Sequence, residues 1–170
     1  ATGRIQPVVK VVINPEVSGE IVELPVREGQ AVKKGDLLVR IRPDPYQASR
    51  NSAEASYRSS LANVELARAE LEKAKIEFAR FSQLSEAKLI SESEFLSAKT
   101  SLDVAQARFE TSRHQSDQTK AGLARADEDL TKTTIVAPID GTVTNLRSER
   151  GERVVGTAMM AGTEIMTVAD

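Results

Sequence analysis

A chain of 170 residues with 40% hydrophobic residues can bury one ordinary core, while an aromatic content of 4% argues for a thin or elongated one. A formal net charge of −2 provides no global basic field, which argues against a nucleic acid or an anionic membrane surface as partner. The absence of cysteine excludes thiol catalysis, disulfides and thiolate metal sites. Within these residues there is no run of about 18 apolar residues and no basic-then-apolar secretory opening.

In chain order, residues 8–13 (Val-Val-Lys-Val-Val-Ile), 19–24 (Gly-Glu-Ile-Val-Glu-Leu) and 37–41 (Leu-Leu-Val-Arg-Ile) are short runs rich in β-branched residues and read as strands. Gly29 and Gly35 mark tight turns where a positive φ is needed. Pro25 cannot donate to a ladder and is expected at an edge or bulge. The pattern changes at Arg42-Pro43-Asp44-Pro45. Asp44 as a capping carboxylate, Pro45 at the first helical position and Gln47 as the capping-box amide predict a helix start there.

From Tyr46 to about Leu84 there is neither glycine nor proline. Tyr57, Val64, Leu71 and Phe78 recur every seven residues, and Tyr46, Ala53, Ser60, Ala67, Ala74 and Phe81 form a companion line, the signature of a coiled-coil seam. Arg50 interrupts the first series, so the seam is expected to be more solvated near its base. A second start, Ser91-Glu92-Ser93-Glu94, has the form of a capping box. After it Phe95, Leu102, Phe109, Leu123 and Leu130 repeat at multiples of seven, interrupted by Ser116, with Ala98, Ala105, Ser112, Thr119 and Ala126 beside them. Two helices of equal length, roughly 60 Å each at 1.5 Å per residue, joined by a loop of about six residues imply an antiparallel hairpin. Such a hairpin leaves much surface exposed, and self-association side by side is expected.

Strand patterns return at residues 134–138, 141–146 and 164–169. Ser18-Gly19-Glu20-Ile21-Val22-Glu23-Leu24 and Asp140-Gly141-Thr142-Val143-Thr144-Asn145-Leu146 share a glycine followed by apolar residues at the same spacing. Gly29 and Val32 follow Gly19 as Gly151 and Val154 follow Gly141. These are two halves of one quasi-symmetric β unit, neither able to bury its apolar face alone, so Ile41 and Thr134 at the ends of the insertion must lie close together.

Val17-Ser18-Gly19-Glu20-Ile21, Val32-Lys33-Lys34-Gly35-Asp36-Leu37-Leu38 and Ile135-Val136-Ala137-Pro138-Ile139-Asp140-Gly141-Thr142-Val143, with the hairpin between them, resemble the split biotinyl/lipoyl-like domain of periplasmic adaptor proteins, or membrane fusion proteins, of bacterial tripartite efflux pumps. The resemblance implies an α+β fold, a split lipoyl-like barrel-sandwich hybrid with a long inserted antiparallel coiled-coil hairpin. It divides the chain into a linker from a β-barrel domain (1–14), a first half (15–42), the hairpin (43–132, with helices over about 45–84 and 91–131 around a tip at 85–90) and a second half (133–170). It also implies a periplasmic location in a Gram-negative bacterium, with an inner-membrane anchor outside these residues.

Adaptor hairpins that meet a TolC-like outer-membrane channel carry an arginine, a leucine four residues later and a serine seven beyond that. Arg80, Leu84 and Ser91 match that spacing at the tip. The resemblance implies that these three bind the channel, and the chemistry agrees: Arg80 can reach carbonyls or a carboxylate, Leu84 can fill an apolar notch and Ser91 permits close approach. Each also has a plainer reading, Ser91 as a helix cap with Glu94, Leu84 as closure of the hairpin end and Arg80 as a solvated charge. The expected function is to bridge an inner-membrane ABC or RND transporter to that channel, as a hexamer in the assembled pump, with no catalysis and no cofactor. A type I secretion adaptor is the alternative within the class. A biotinyl or lipoyl carrier is the alternative outside it, but the lysine-bearing turn of true carriers is replaced by the hairpin, and Lys33 and Lys34 read as solvated turn residues. His114, on the outermost helical position, reads as solvated, and Met159, Met160 and Met166 read as core-packing or loop-filling residues rather than soft-metal ligands.

Overall fold

The computed structural model describes residues 9–158 and 160–170, so the start of the expected 1–14 linker and Met159 lie outside the described residues. Ten elements follow in order: β1 (Lys10–Ile13), β2 (Gly19–Glu23), β3 (Ala31–Val32), β4 (Leu37–Ile41), α1 (Asp44–Glu86), α2 (Glu92–Thr131), β5 (Thr134–Val136), β6 (Gly141–Thr144), β7 (Arg153–Val154) and β8 (Met166–Ala169). They divide into two units, one formed by the chain up to Arg50 and from Ala126 onward, the other by Asn51–Arg125.

The first unit is a pair of four-stranded antiparallel sheets, ordered β1-β8-β6-β3 and β5-β4-β2-β7. The orders are images of one another under the repeat. β4, β2 and β5 of one sheet correspond to β8, β6 and β1 of the other, while each half lends its shortest strand, β3 or β7, to the sheet of its counterpart. The turn contacts repeat as well. Gly29 N–H donates to the Val143 carbonyl at 2.8 Å and Val143 N–H returns a bond to Gln30 at 2.9 Å; Gly151 N–H donates to Ile21 at 2.8 Å and Ile21 N–H to Glu152 at 2.9 Å. Gly29 and Gly151 hold φ of 83° and 92°, conformations that penalise a residue with a Cβ. Between the sheets lies one apolar core that includes Ile13, Ile21, Leu38, Val39, Ile41, Val143, Val154, Ile165, Met166 and Val168. Met166 is part of that core, and Pro25 lies beyond the end of β2, where its missing N–H interrupts no ladder.

The two-residue strands β3 and β7 are too short to show alternation, so the sequence presents them only as the repeated valines 32 and 154. Ile41 N–H donates to the Thr133 carbonyl at 2.8 Å, bringing the ends of the helical insertion together. The helix start differs from expectation. Gln47 N–H donates to the Pro43 carbonyl at 2.8 Å, so the first helical bond closes one residue early and Asp44 sits inside the first turn, where its charge faces the helix N-terminus, rather than capping it.

In the same unit the helix bases are tied by polar contacts. The Tyr46 hydroxyl donates to the Ser18 carbonyl at 2.5 Å, and the Ser18 hydroxyl accepts from Gly156 N–H at 2.8 Å. Arg50, the residue that interrupts the heptad series, donates from Nε to Asp127 at 2.8 Å. Lys132 reaches Glu16 at 2.9 Å and Glu128 at 3.1 Å.

In the second unit α1 and α2 run antiparallel. Ser60, Val64, Ala67, Leu71 and Ala74 of α1 are buried, as are Ala105 and Ser116 of α2, so both predicted heptad lines of α1 and their α2 counterparts form the seam. Alanine, serine and threonine on one line allow close approach. Nearer the base than the tip, the Ser60 and Thr119 hydroxyls lie 2.7 Å apart, each with a backbone carbonyl of its own helix in reach, which satisfies a polar layer inside the seam. The core here is thin, with Leu71, Ala74 and Ala105 backed by Leu102 and Phe109.

Candidate functional site

The hairpin tip is built by how α1 stops and α2 starts. α1 ends in a Schellman motif: Leu89 N–H donates to the Leu84 carbonyl at 2.9 Å and Lys88 N–H to the Ser85 carbonyl at 3.0 Å. The motif requires a left-handed residue, and Lys88 supplies it with φ of 57° where glycine is the usual choice. α2 starts with a complete capping box. Ser91 N–H donates to Glu94 Oε2 at 2.9 Å, and Glu94 N–H donates back to Ser91 Oγ at 3.1 Å. Glu92 and Glu94 also place negative charge on the first turn, where it opposes the helix dipole. Just below the tip, Phe78 and Phe95 face one another across the hairpin with ring centroids 5.7 Å apart.

Within this frame Arg80 is exposed, and its guanidinium lies over the Phe81 ring at 5.4 Å. Arg58, Arg68, Arg108 and Arg113 of the hairpin each pair with a glutamate, at 2.9, 3.6, 3.8 and 3.5 Å. Among the described residues Arg80 makes no ion pair. Leu84 is half-buried, its carbonyl engaged by the Schellman bond, and Ser91 is exposed with its hydroxyl used by the cap. All three stand at the same end of the hairpin, Arg80 and Leu84 before the turn at 87–91 and Ser91 as its last residue. The sequence gives no sign of Lys88 and Leu89, because no glycine or asparagine marks the left-handed position. Elsewhere, His114 is exposed, and among the described residues no group of three or more His, Asp or Glu is placed to hold a metal.

A two-sheet sandwich of swapped repeat halves, interrupted by a coiled-coil hairpin, is the architecture of a membrane fusion protein. Residues 9–166 match the family described as "RND MFP, barrel-sandwich hybrid domain", and the chain belongs to it. It is 34% identical over 170 residues to the macrolide export protein MacA of Yersinia pestis, covering 100% of this chain and 45% of that protein. It is 32% identical over 176 residues to the multidrug resistance protein MdtN of Shigella flexneri, covering 81% of this chain and 51% of that one. The crystal structure of MacA from Actinobacillus actinomycetemcomitans superposes with a TM-score of 0.90 at 30% identity, over 97% of this chain and 50% of that chain. The chain thus spans about half the length of the relatives it matches.

Proposed function

We propose that this chain is the lipoyl-like and hairpin portion of a periplasmic adaptor for drug efflux, joining an inner-membrane ABC or RND transporter to a TolC-like outer-membrane channel. In this reading 15–42 and 133–170 form the lipoyl-like halves, 43–132 forms the hairpin, and Arg80, Leu84 and Ser91 meet the channel. The observation that carries it is the state and place of Arg80: among the described residues both Arg80 and Arg125 of the hairpin are exposed without an ion pair, and of the two only Arg80 stands at the tip with Leu84 and Ser91. A guanidinium left available is suited to carbonyls or a carboxylate on another protein. The relatives' names support export of drugs as the task.

Self-association, as a hexamer in the assembled pump, is part of the same reading. Along one side of the hairpin Leu66 and Val104 are exposed beside Ala107, bordered by the Arg108–Glu70 pair at 3.8 Å. A seam of two helices leaves this stripe uncovered, and a neighbouring hairpin would bury it. The test is Arg80→Asp in the full-length protein. Channel cross-linking in cells and drug resistance should both be lost while expression and helix content stay unchanged, and retention of both would refute the assignment.

A further inference from the structure

The hairpin tip presents a side chain that its own fold does not use. In a Schellman motif the residue after the left-handed position normally folds its apolar side chain back over the residue five before it, here Leu89 over Leu84. Both backbone bonds of the motif are formed, yet Leu89 is 71% exposed. The left-handed position itself holds Lys88, where a Cβ is unfavourable and glycine would serve the turn better. The local geometry is therefore not optimised for the stability of the isolated tip, and its cost falls on the residue beside the exposed leucine. Backbone outliers of this kind gather where a surface is used.

We infer that Leu89 is a second apolar anchor of the tip, entering an apolar notch on the protein partner beside the one filled by Leu84, with Arg80 supplying the polar contact on the same end. The inference rests on the docking role proposed above and adds to it a residue outside the Arg80, Leu84 and Ser91 set. The occupant is a protein surface with apolar notches: an exposed leucine joined by its backbone to a half-buried leucine, at the same end of the hairpin as an exposed arginine with no ion pair among the described residues, offers apolar area together with a directional donor, the mixture that anchors protein interfaces.

The test uses the full-length protein and the purified TolC-type channel of the source organism. Leu89→Ser should weaken association about tenfold or more, the scale of losing one buried leucine side chain. Leu89→Met should restore most of it. Ile76→Ser removes an aliphatic side chain of similar exposure, 69%, from the helix rather than the tip, and should leave association unchanged. Because Leu89 is exposed, helix content and melting temperature should not move in either serine variant. If Arg80→Asp abolishes association while Leu89→Ser does not, the inference about Leu89 is overturned and the docking role stands. If neither variant weakens it, the docking role itself fails. Equal losses from Ile76→Ser and Leu89→Ser, or Leu89-dependent binding to vesicles of the source lipids in place of the channel, also overturn it.

Discussion

The capping role of Ser91 and its proposed contact with the channel are separable, and substitutions distinguish them. Ser91→Ala deletes the oxygen that accepts Glu94 N–H at 3.1 Å, while the reciprocal bond from Ser91 N–H to Glu94 at 2.9 Å remains available. Since the side chain is exposed, no burial is lost, and the change is that of an N-cap, about 1 kcal/mol. In a chain of this size that lowers the melting temperature by about 3 °C. Ser91→Asn keeps a capping acceptor and should stay within about 0.5 kcal/mol of the original, but its longer amide occupies space that serine leaves open to a partner. Thermal melts followed by far-UV circular dichroism should therefore rank serine and asparagine together above alanine, while channel association should fall with asparagine. Melts unchanged by alanine, or asparagine as damaging as alanine, would refute the capping argument. Full association with asparagine would refute the contact.

Four further substitutions test the same geometry and are read by the same melts. A Cβ at Gly141 would lie 2.5 Å from the Ala169 carbonyl oxygen, inside the β6–β8 pairing, so Gly141→Ala should cost ~2 kcal/mol or more; at Gly122, inside α2 with nothing within 4 Å, the same substitution should stabilise by about 0.5–1 kcal/mol. Lys88→Gly relieves the left-handed lysine and should stabilise the hairpin by about 1 kcal/mol, and a decrease would show that the φ of 57° carries no strain. Burial, reinforced by the charge of Asp129, holds the Tyr46 hydroxyl above its usual 10.0, so the folded state favours the neutral phenol. Its contribution is complete below pH 10 and is lost as pH rises beyond that, because the unfolded chain ionises first. Tyr46→Phe should cost about 1 kcal/mol at neutral pH through the lost bond to Ser18 and should show a shallower alkaline decline.

What the sequence made legible is what depends on near neighbours or on strict repetition. The capping box at Ser91 joins residues three apart, and the heptad lines alone mark the buried seam from Ser60 to Ala74. The repeat of glycine and valine spacing exposed the symmetry of the two sheets. What stayed hidden depends on distant partners or on an exceptional backbone. Tyr46 meets Ser18 across 28 positions, so periodicity assigned it to the seam although its hydroxyl serves the sandwich. The α1 cap was misplaced by one residue because the Pro43 carbonyl competes with the Asp44 side chain to define the first turn. At the tip, the spacing of Arg80, Leu84 and Ser91 was visible, but a lysine in a left-handed turn leaves no compositional trace, and Leu89 passed unnoticed.

The exchange of short strands between the two sheets constrains the order in which the molecule can close. β2 and β4 are near neighbours in sequence, yet β7, which must border β2, lies roughly 130 residues further on, so its pairing closes a long loop and comes late. The hairpin, whose contacts are nearer in sequence and whose helices nucleate locally, can assemble before that loop closes. Residues near 154 thus seal the edge set up by residues near 19, and until they arrive β2 keeps an open margin that a second unfolded copy could occupy.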